Sequence, residues 1–203
     1  PELFELPVDG DKNNTRWVVF AADAKYVVGS FDGKTFTPEF EGKQTVHYGS
    51  FYASQCFSNP PDGRVVQVGW ARINMGGDMP FNQTFSLPLD LTLRNTPEGI
   101  RMFANPIEEV NALHDGKPQT LTAKTVTADS PASLTVEGQL FDITLILRKG
   151  DATKATLSFG RNAVTYDFNT GMLDKMPVSL TDGKLKLRVL VDRPMYEVVG
   201  NDG

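Results

Sequence analysis

The sequence has one cysteine in 203 residues, Cys56, so neither an internal disulfide nor a multi-thiolate metal site can form. Cys56 reads most simply as a small buried hydrophobe. Strong charge is also missing: 20 Lys and Arg against 25 Asp and Glu give a net charge of -5. No basic cluster is available to release counterions from a nucleic acid or to hold an anionic membrane surface. No stretch approaches the roughly 20 apolar residues that span a bilayer as a helix. The two histidines, His47 and His114, are far apart and outside any metal-ligand spacing, and no glycine-rich loop leads from a strand into a helix to cradle phosphate. The expectation is therefore no nucleic acid, no membrane, no metal and no cofactor, with a small or neutral partner fitting better.

What is present is β-rich. With 40% hydrophobic and 10% aromatic residues, the chain reads as globular and able to bury a core. The runs "RWVVFAAD", "KYVVGSFDG", "SFYASQCFS" and "RVVQVGWARI" are short and end in Asp-Gly, Asn-Pro-Pro or Gly-Gly punctuation. They predict antiparallel meanders, as in a sandwich or the blades of a propeller. No exact repeat distinguishes the two. In "NTPEGIRMFANPIEEVNALHDGK", Pro106 can open a helical turn, and Ile107, Val110 and Leu113 fall at helical spacing, which marks the best junction. Beyond it, "SLTVEGQLFDITLILRKG", "KATLSFG", "AVTYDFN" and "LKLRVLVDR" resume the alternation of a second all-β unit. The opening "PELFELPVDG" starts inside a strand without a methionine, and the closing "MYEVVGNDG" ends on a turn signal that promises a returning strand. The sequence reads as cut at both ends.

Candidate chemistry is thin in the residues themselves. Catalytic carboxylate pairs come from different strands in an all-β protein, so spacing does not reveal them. Asp9, Asp62, Asp115, Asp182 and Asp202 adjoin glycine, where turn formation accounts for them, and Asp32 in "SFDGK" has the same surroundings. Aromatic residues are more informative. Trp70 ends a strand in "VGWARI", with Phe51, Tyr52 and Phe81 in neighbouring segments, and sugar rings stack well on exposed aromatic faces. Core packing is the commoner role of any one Phe. The residues alone indicate an all-β protein with carbohydrate as the favoured ligand.

Six stretches together resemble glycoside hydrolase family 32, the levanases, inulinases and invertases: "PELFELPVDG", "YVVGSFDGKTFTPE", "FYASQCF", "GRVVQVGWAR", "MPFNQTFSLPLDLTL" and "LRVLVDRPMYEVVGNDG". They occur in the family's order and span nearly the whole chain. The resemblance implies the last blades of a five-bladed β-propeller over residues 1–104, followed by a β-sandwich over 105–203 that is incomplete at its C-terminus. It also implies retaining hydrolysis of fructosyl linkages in levan, inulin or sucrose: one carboxylate attacks the anomeric carbon, an acid protonates the leaving oxygen, and water releases fructose. In the family, the segment resembling "PELFELP" follows directly on a Glu-Cys pair whose Glu is the acid/base. The nucleophile's Trp-Met-Asn-Asp-Pro-like motif and an Arg-Asp-Pro motif lie further upstream. None of these motifs is in this sequence, so no catalytic residue is expected within it; the pair is expected upstream of Pro1, and the chain alone is expected to be inactive.

Substrate contacts are a separate matter. Trp70 matches the family's Gly-Trp tryptophan beside the fructosyl pocket, and Asp32, with Lys34 nearby, matches an acidic position near the substrate entrance. Met79, Pro80, Phe81, Asn82 and Gln83 match a motif expected to hold closing propeller strands, Asn82 and Gln83 satisfying buried polar groups. Two departures stand out: His47 and a shortened Gly49-Ser50-Phe51 where relatives carry Asp-Tyr-Gly and an extra residue, and Pro194-Met195, where a bulge or edge is expected because Pro cannot donate to a ladder. Open propeller edges leave room for a homo-oligomer. The family implies a secreted or periplasmic protein acting on a fructose-containing oligo- or polysaccharide. The alternative is a non-catalytic carbohydrate-binding β protein that kept a pocket wall.

Overall fold

The computed structural model describes residues 1–203 apart from 58, 77, 78, 123, 194, 202 and 203. The bulge or edge expected at Pro194 and the turn expected at Asp202 therefore lie outside the described residues. The chain divides into two compact units, residues 1–108 and 109–201.

The first unit is one branched sheet of ten strands: β1 (Glu2–Val8), β2 (Asp11–Phe20), β3 (Lys25–Phe31), β4 (Phe36–Pro38), β5 (Gln44–Thr45), β6 (Phe51–Cys56), β7 (Val65–Ala71), β8 (Thr84–Phe85), β9 (Leu89–Thr96) and β10 (Gly99–Pro106). β1 to β4 form one antiparallel meander, and β6, β7, β9 and β10 form another. A single parallel bridge, Val8 to Leu93, joins them. Both have the four-stranded form of a propeller blade. The hairpin between β1 and β2 turns on Asp9 (φ 52°) and Gly10 (φ 76°), two consecutive left-handed residues whose twist matches the strands they connect. Asp9 is thus the turn former its sequence implied, and its carboxylate also accepts from the backbone and side-chain amides of Asn95 on β9, at 3.1 and 2.7 Å.

Alternation explains the core. In β1, Leu6 and Val8 point inward while Leu3 and Glu5 are exposed. Val18, Phe20, Tyr26 and Val28 from the first meander pack with Leu91, Leu93, Ile100 and Met102 from the second. The Tyr26 hydroxyl accepts the Met102 backbone N–H at 2.8 Å, so the ring's one polar atom is satisfied inside an apolar cluster.

The second unit contains a 3-10 helix (Glu108–Leu113) at its start, then β11 (Leu140–Arg148), β12 (Lys154–Phe159), β13 (Asn162–Asp167), β14 (Met172–Leu173), β15 (Met176–Pro177), β16 (Lys184–Asp192) and β17 (Met195–Gly200). These make a three-stranded sheet, β11-β16-β17, and a four-stranded sheet, β12-β13-β14-β15. Leu185, Leu187 and Val189 of the first meet Val164, Tyr166 and Leu173 of the second in one core.

Two local expectations differ from the structure. The helical turn is a 3-10 helix that buries no residue, and Leu113 is 78% exposed; the segment before it, "GIRMFANP", is β10, paired with β9 along its whole length. Pro106, expected to open the helical turn, instead ends β10, and the helix opens at Glu108. "SLTVEGQ" also reads as strand, yet the strand starts only at Leu140, and Leu134 and Val136 remain exposed. Alternation forms a strand only where a partner lies alongside.

Candidate functional site

The site follows from the Gly-Trp pair on β7. A Cβ on Gly69 would collide with the Phe51 ring, so glycine is what lets that ring lie flat across β7. The other face of Phe51 carries the His47 ring, stacked at 3.8 Å between centroids and 29° between planes. Trp70, the next residue, points to the opposite face of the sheet. There it is 40% exposed, with the Tyr52 ring 6.2 Å away in an edge arrangement and Phe85 directly across from it on β8. Arg72 lays its guanidinium over Tyr52 at 4.4 Å. Ser86 secures this end of β7, since its hydroxyl accepts the Gly69 N–H at 2.9 Å and donates to the Leu87 carbonyl at 3.0 Å.

The inner face holds a directional polar chain. The neutral His47 ring, protonated on Nε2, donates to Gln67 Oε1 at 3.1 Å. Gln67, fully buried, donates from Nε2 towards Cys56 Sγ at 3.9 Å. The Cys56 thiol donates to Glu2 Oε2 at 3.3 Å, and the Cys56 backbone N–H donates to Glu2 Oε1 at 2.7 Å. Gln67 and the Cys56 thiol each accept once and donate once, and the charge of Glu2 ends the series. Desolvation pushes His47 down to about 4. Desolvation, followed by the neighbouring Glu2 carboxylate, pushes the Cys56 thiol up to about 12, so the thiol is neither nucleophile nor metal ligand. Cys56 is thus only part-buried and hydrogen-bonded, not the simple apolar filler expected of it. Glu2 and Gln67 were not singled out in the sequence; the one available signal is Gln67 interrupting the apolar run "RVVQVGW".

Asp32 and Lys34 lie together in the turn between β3 and β4, separated from β7 by β2, β1 and β9 in the sheet. Asp32 Oδ1 accepts the backbone N–H groups of Lys34 and Thr35 at 2.8 and 2.7 Å. These bonds, that from Thr35 foremost, lower the pKa of this exposed carboxyl. Its geometry is that of a turn former. Asn82 and Gln83 do not have the expected burial chemistry: Asn82 is exposed, Gln83 Oε1 is buried without a partner, and Gln83 has a φ of 70°. Ser86 makes the bond to the strand that Asn82 and Gln83 were expected to provide. His114, in the second unit, is exposed and meets Asp142 at 2.7 Å. Asp142 also takes two hydrogen bonds from Arg188, at 3.1 and 2.7 Å. Burial alone would raise the Asp142 pKa, but Arg188 and His114 outweigh it and hold the carboxyl below its ordinary value. Among the described residues, no group of three His, Cys, Asp or Glu could hold a metal ion.

Comparison with known proteins joins these features to a family. Residues 1–106 match the family model described as the glycosyl hydrolases family 32 N-terminal domain. The chain is 30% identical to a levanase of Bacillus subtilis over 254 aligned positions, covering all of this chain and 37% of the levanase. It is 24% identical to an extracellular exo-inulinase of Aspergillus awamori, of which it covers 47%. Among solved structures, the A. awamori exo-inulinase superposes with a TM-score of 0.80 at 23% identity, over 99% of this chain and 49% of that one. A β-fructofuranosidase of Schwanniomyces occidentalis, solved with fructosyl-erythritol, gives 0.76 at 20% identity, over 100% of this chain and 51% of that one. The chain thus spans about half the length of these solved enzymes, and less of the levanase, and it shares their fold over the aligned residues. It belongs to glycoside hydrolase family 32.

Proposed function

We propose that this chain is part of a fructan-active glycoside hydrolase and supplies one wall of its substrate site, with Trp70 as the residue that binds sugar. The observation that carries this reading is the large exposed Trp70 ring, at the end of β7 and facing away from the core, in a chain whose family membership is shown. An indole at 40% exposure beside Tyr52 offers a sugar the flat apolar face it stacks on. The reaction is retaining hydrolysis of fructosyl linkages in levan, inulin or sucrose, and its nucleophile and acid/base lie outside these 203 residues. The carboxylates described here support that division. The Asp32 and Asp9 carboxylates are engaged by backbone amides in turns, Asp142 is tied to Arg188, and Glu2 is bound to Cys56.

The backbone bonds that occupy Asp32 Oδ1 favour a turn role for Asp32 over the sugar contact expected of it and of Lys34, and only the Asp32 oxygen that the turn leaves open could extend the surface to them. The protein works outside the cytoplasm, secreted or periplasmic, as the exo-inulinases are named extracellular; no described helix is long and apolar enough to cross a membrane. The edges of the first sheet are the surface for self-association. The test is fructose release from sucrose, inulin and levan by this chain, beside a longer protein that includes the upstream motifs. Release by the longer protein alone is expected. Release by the 203 residues alone overturns the assignment of catalysis to residues outside them.

A further inference from the structure

The Trp70 ring does not stand alone. Tyr52 on β6 and Phe85 on β8 are its direct cross-strand partners, and directly opposed residues project from the same face of a sheet. Three aromatic rings on three adjacent strands make a row of roughly 10 Å, two inter-strand spacings. The row contributes nothing to the main core of the unit, which takes Phe51, Cys56 and Val65 from the other face of β6 and β7. Phe85 is 73% exposed, although its neighbours Thr84 and Ser86 are polar.

We propose that Tyr52, Trp70 and Phe85 form a platform for a chain of several neutral sugar units, so that the site is built for a polymeric fructan and not for sucrose. This rests on the fructan-hydrolase reading above. The shape favours a linear saccharide: the row is one ring wide and longer than a single furanose. Polar groups flank it as sugar hydroxyls require. Arg72, stacked on Tyr52, fixes that ring and presents N–H donors at one end of the row, and Gln55, exposed, projects on the same side of β6, opposite Val68. A protein partner needs a broader apolar patch than a single file of rings.

The test is calorimetric titration of this chain with sucrose and with fructo-oligosaccharides of increasing length, for the parent and for Tyr52→Ala, Trp70→Ala, Phe85→Ala and Phe85→Tyr. Phe85 is too exposed for its replacement to unfold the sheet, so Phe85→Ala keeps the test readable. Affinity should rise with oligomer length. Phe85→Ala should cost roughly two- to tenfold in affinity for long oligomers and nothing for sucrose, and Phe85→Tyr should restore it. Affinity that does not grow with length, or growth that Phe85→Ala leaves intact, overturns the platform; if Trp70→Ala still abolishes sucrose binding, the fructan reading survives that result. Phe85-dependent binding of long xylo- or gluco-oligosaccharides, with no fructan bound, supports the platform and overturns the fructan reading. A dimer seen by light scattering that Phe85→Ala converts to monomer assigns the row to self-association and overturns the proposal.

Discussion

Each unit ties a histidine into a polar network on its sheet, and the two do so in opposite ways. In the first, His47 sits neutral against Phe51 and passes a hydrogen bond through Gln67 and Cys56 before any charge is met at Glu2. In the second, exposed His114 meets Asp142 directly, beside a guanidinium that also reaches Asn111 of the 3-10 helix at 2.9 Å. Next to a hydrophobic core, charge is costly unless paired, so the interior network uses neutral donors. Nearer water, a carboxylate held by Arg is affordable and fixes a helix onto a strand. The difference teaches that each network should fail by its own route, under its own conditions.

The largest expected effect comes from breaking the neutral series. Gln67→Leu removes the bridge, leaving the His47 Nε2–H without its acceptor and Cys56 Sγ without its donor while the thiol keeps its bond to Glu2, which should cost about 2–3 kcal/mol. Both tryptophans, Trp17 and Trp70, lie in the first unit, so denaturant unfolding followed by Trp fluorescence reads this loss directly. An unchanged midpoint would show that Gln67 bridges nothing of consequence.

Acid separates the two networks next. His47 is lowered in the folded chain to about 4 from an ordinary 6.5. The unfolded chain therefore binds the proton first, and the first unit loses stability as pH falls from about 6.5 to about 4, then levels off. At full burial such a displacement corresponds to about 3 kcal/mol; with the exposure His47 retains, about 1–2 kcal/mol is expected. Asp142 is lowered too, but its contribution is present above the ordinary carboxylate value and is lost only as pH falls through the still lower folded value. Hydrogen exchange at pH 5 should show β6 and β7 less protected than at neutral pH and β11 unchanged. Equal loss in both would remove the contrast, and His47→Gln should abolish the change in the first unit.

Asp142→Asn should cost about 1–2 kcal/mol, because it weakens a partly buried pair with Arg188 and frees His114. The readout is exchange at β11 and β16, with the Trp-monitored transition unmoved. A shift of that transition would mean the networks are not separate.

Much of the fold could be read from the sequence. The runs around Phe4, Val18, Val28, Trp70 and Leu187 are rich in β-branched and aromatic residues between turn signals, and Asp9-Gly10 fixes a hairpin through two left-handed residues. β10 was hidden because "GIRMFANP" runs directly into the helical spacing of the junction and its stability comes from β9, a partner no local window contains. The site was legible only in part. Trp70 could be singled out, but its row with Tyr52 and Phe85 depends on register, and the bulge between Tyr52 and Gln55 places Tyr52 opposite Trp70 in a way that spacing cannot foretell. The series from Glu2 to His47 joins residues up to 65 positions apart through one polar residue in an apolar run, a pattern that only packing can assemble.

The smallest expected effect concerns the turn at Asp32. Asp32→Ser keeps a side-chain oxygen able to accept from Lys34 and Thr35 while removing the negative charge. If the role of Asp32 is the turn its geometry displays, the variant should bind long fructo-oligosaccharides as the parent does, in contrast to Trp70→Ala. A selective loss of affinity, with the Trp-monitored stability unchanged, would mean that the oxygen the turn leaves open touches sugar. The substrate surface would then extend from β7 to the far meander, and the division of labour within the first unit, binding at one meander and scaffold at the other, would have to be redrawn.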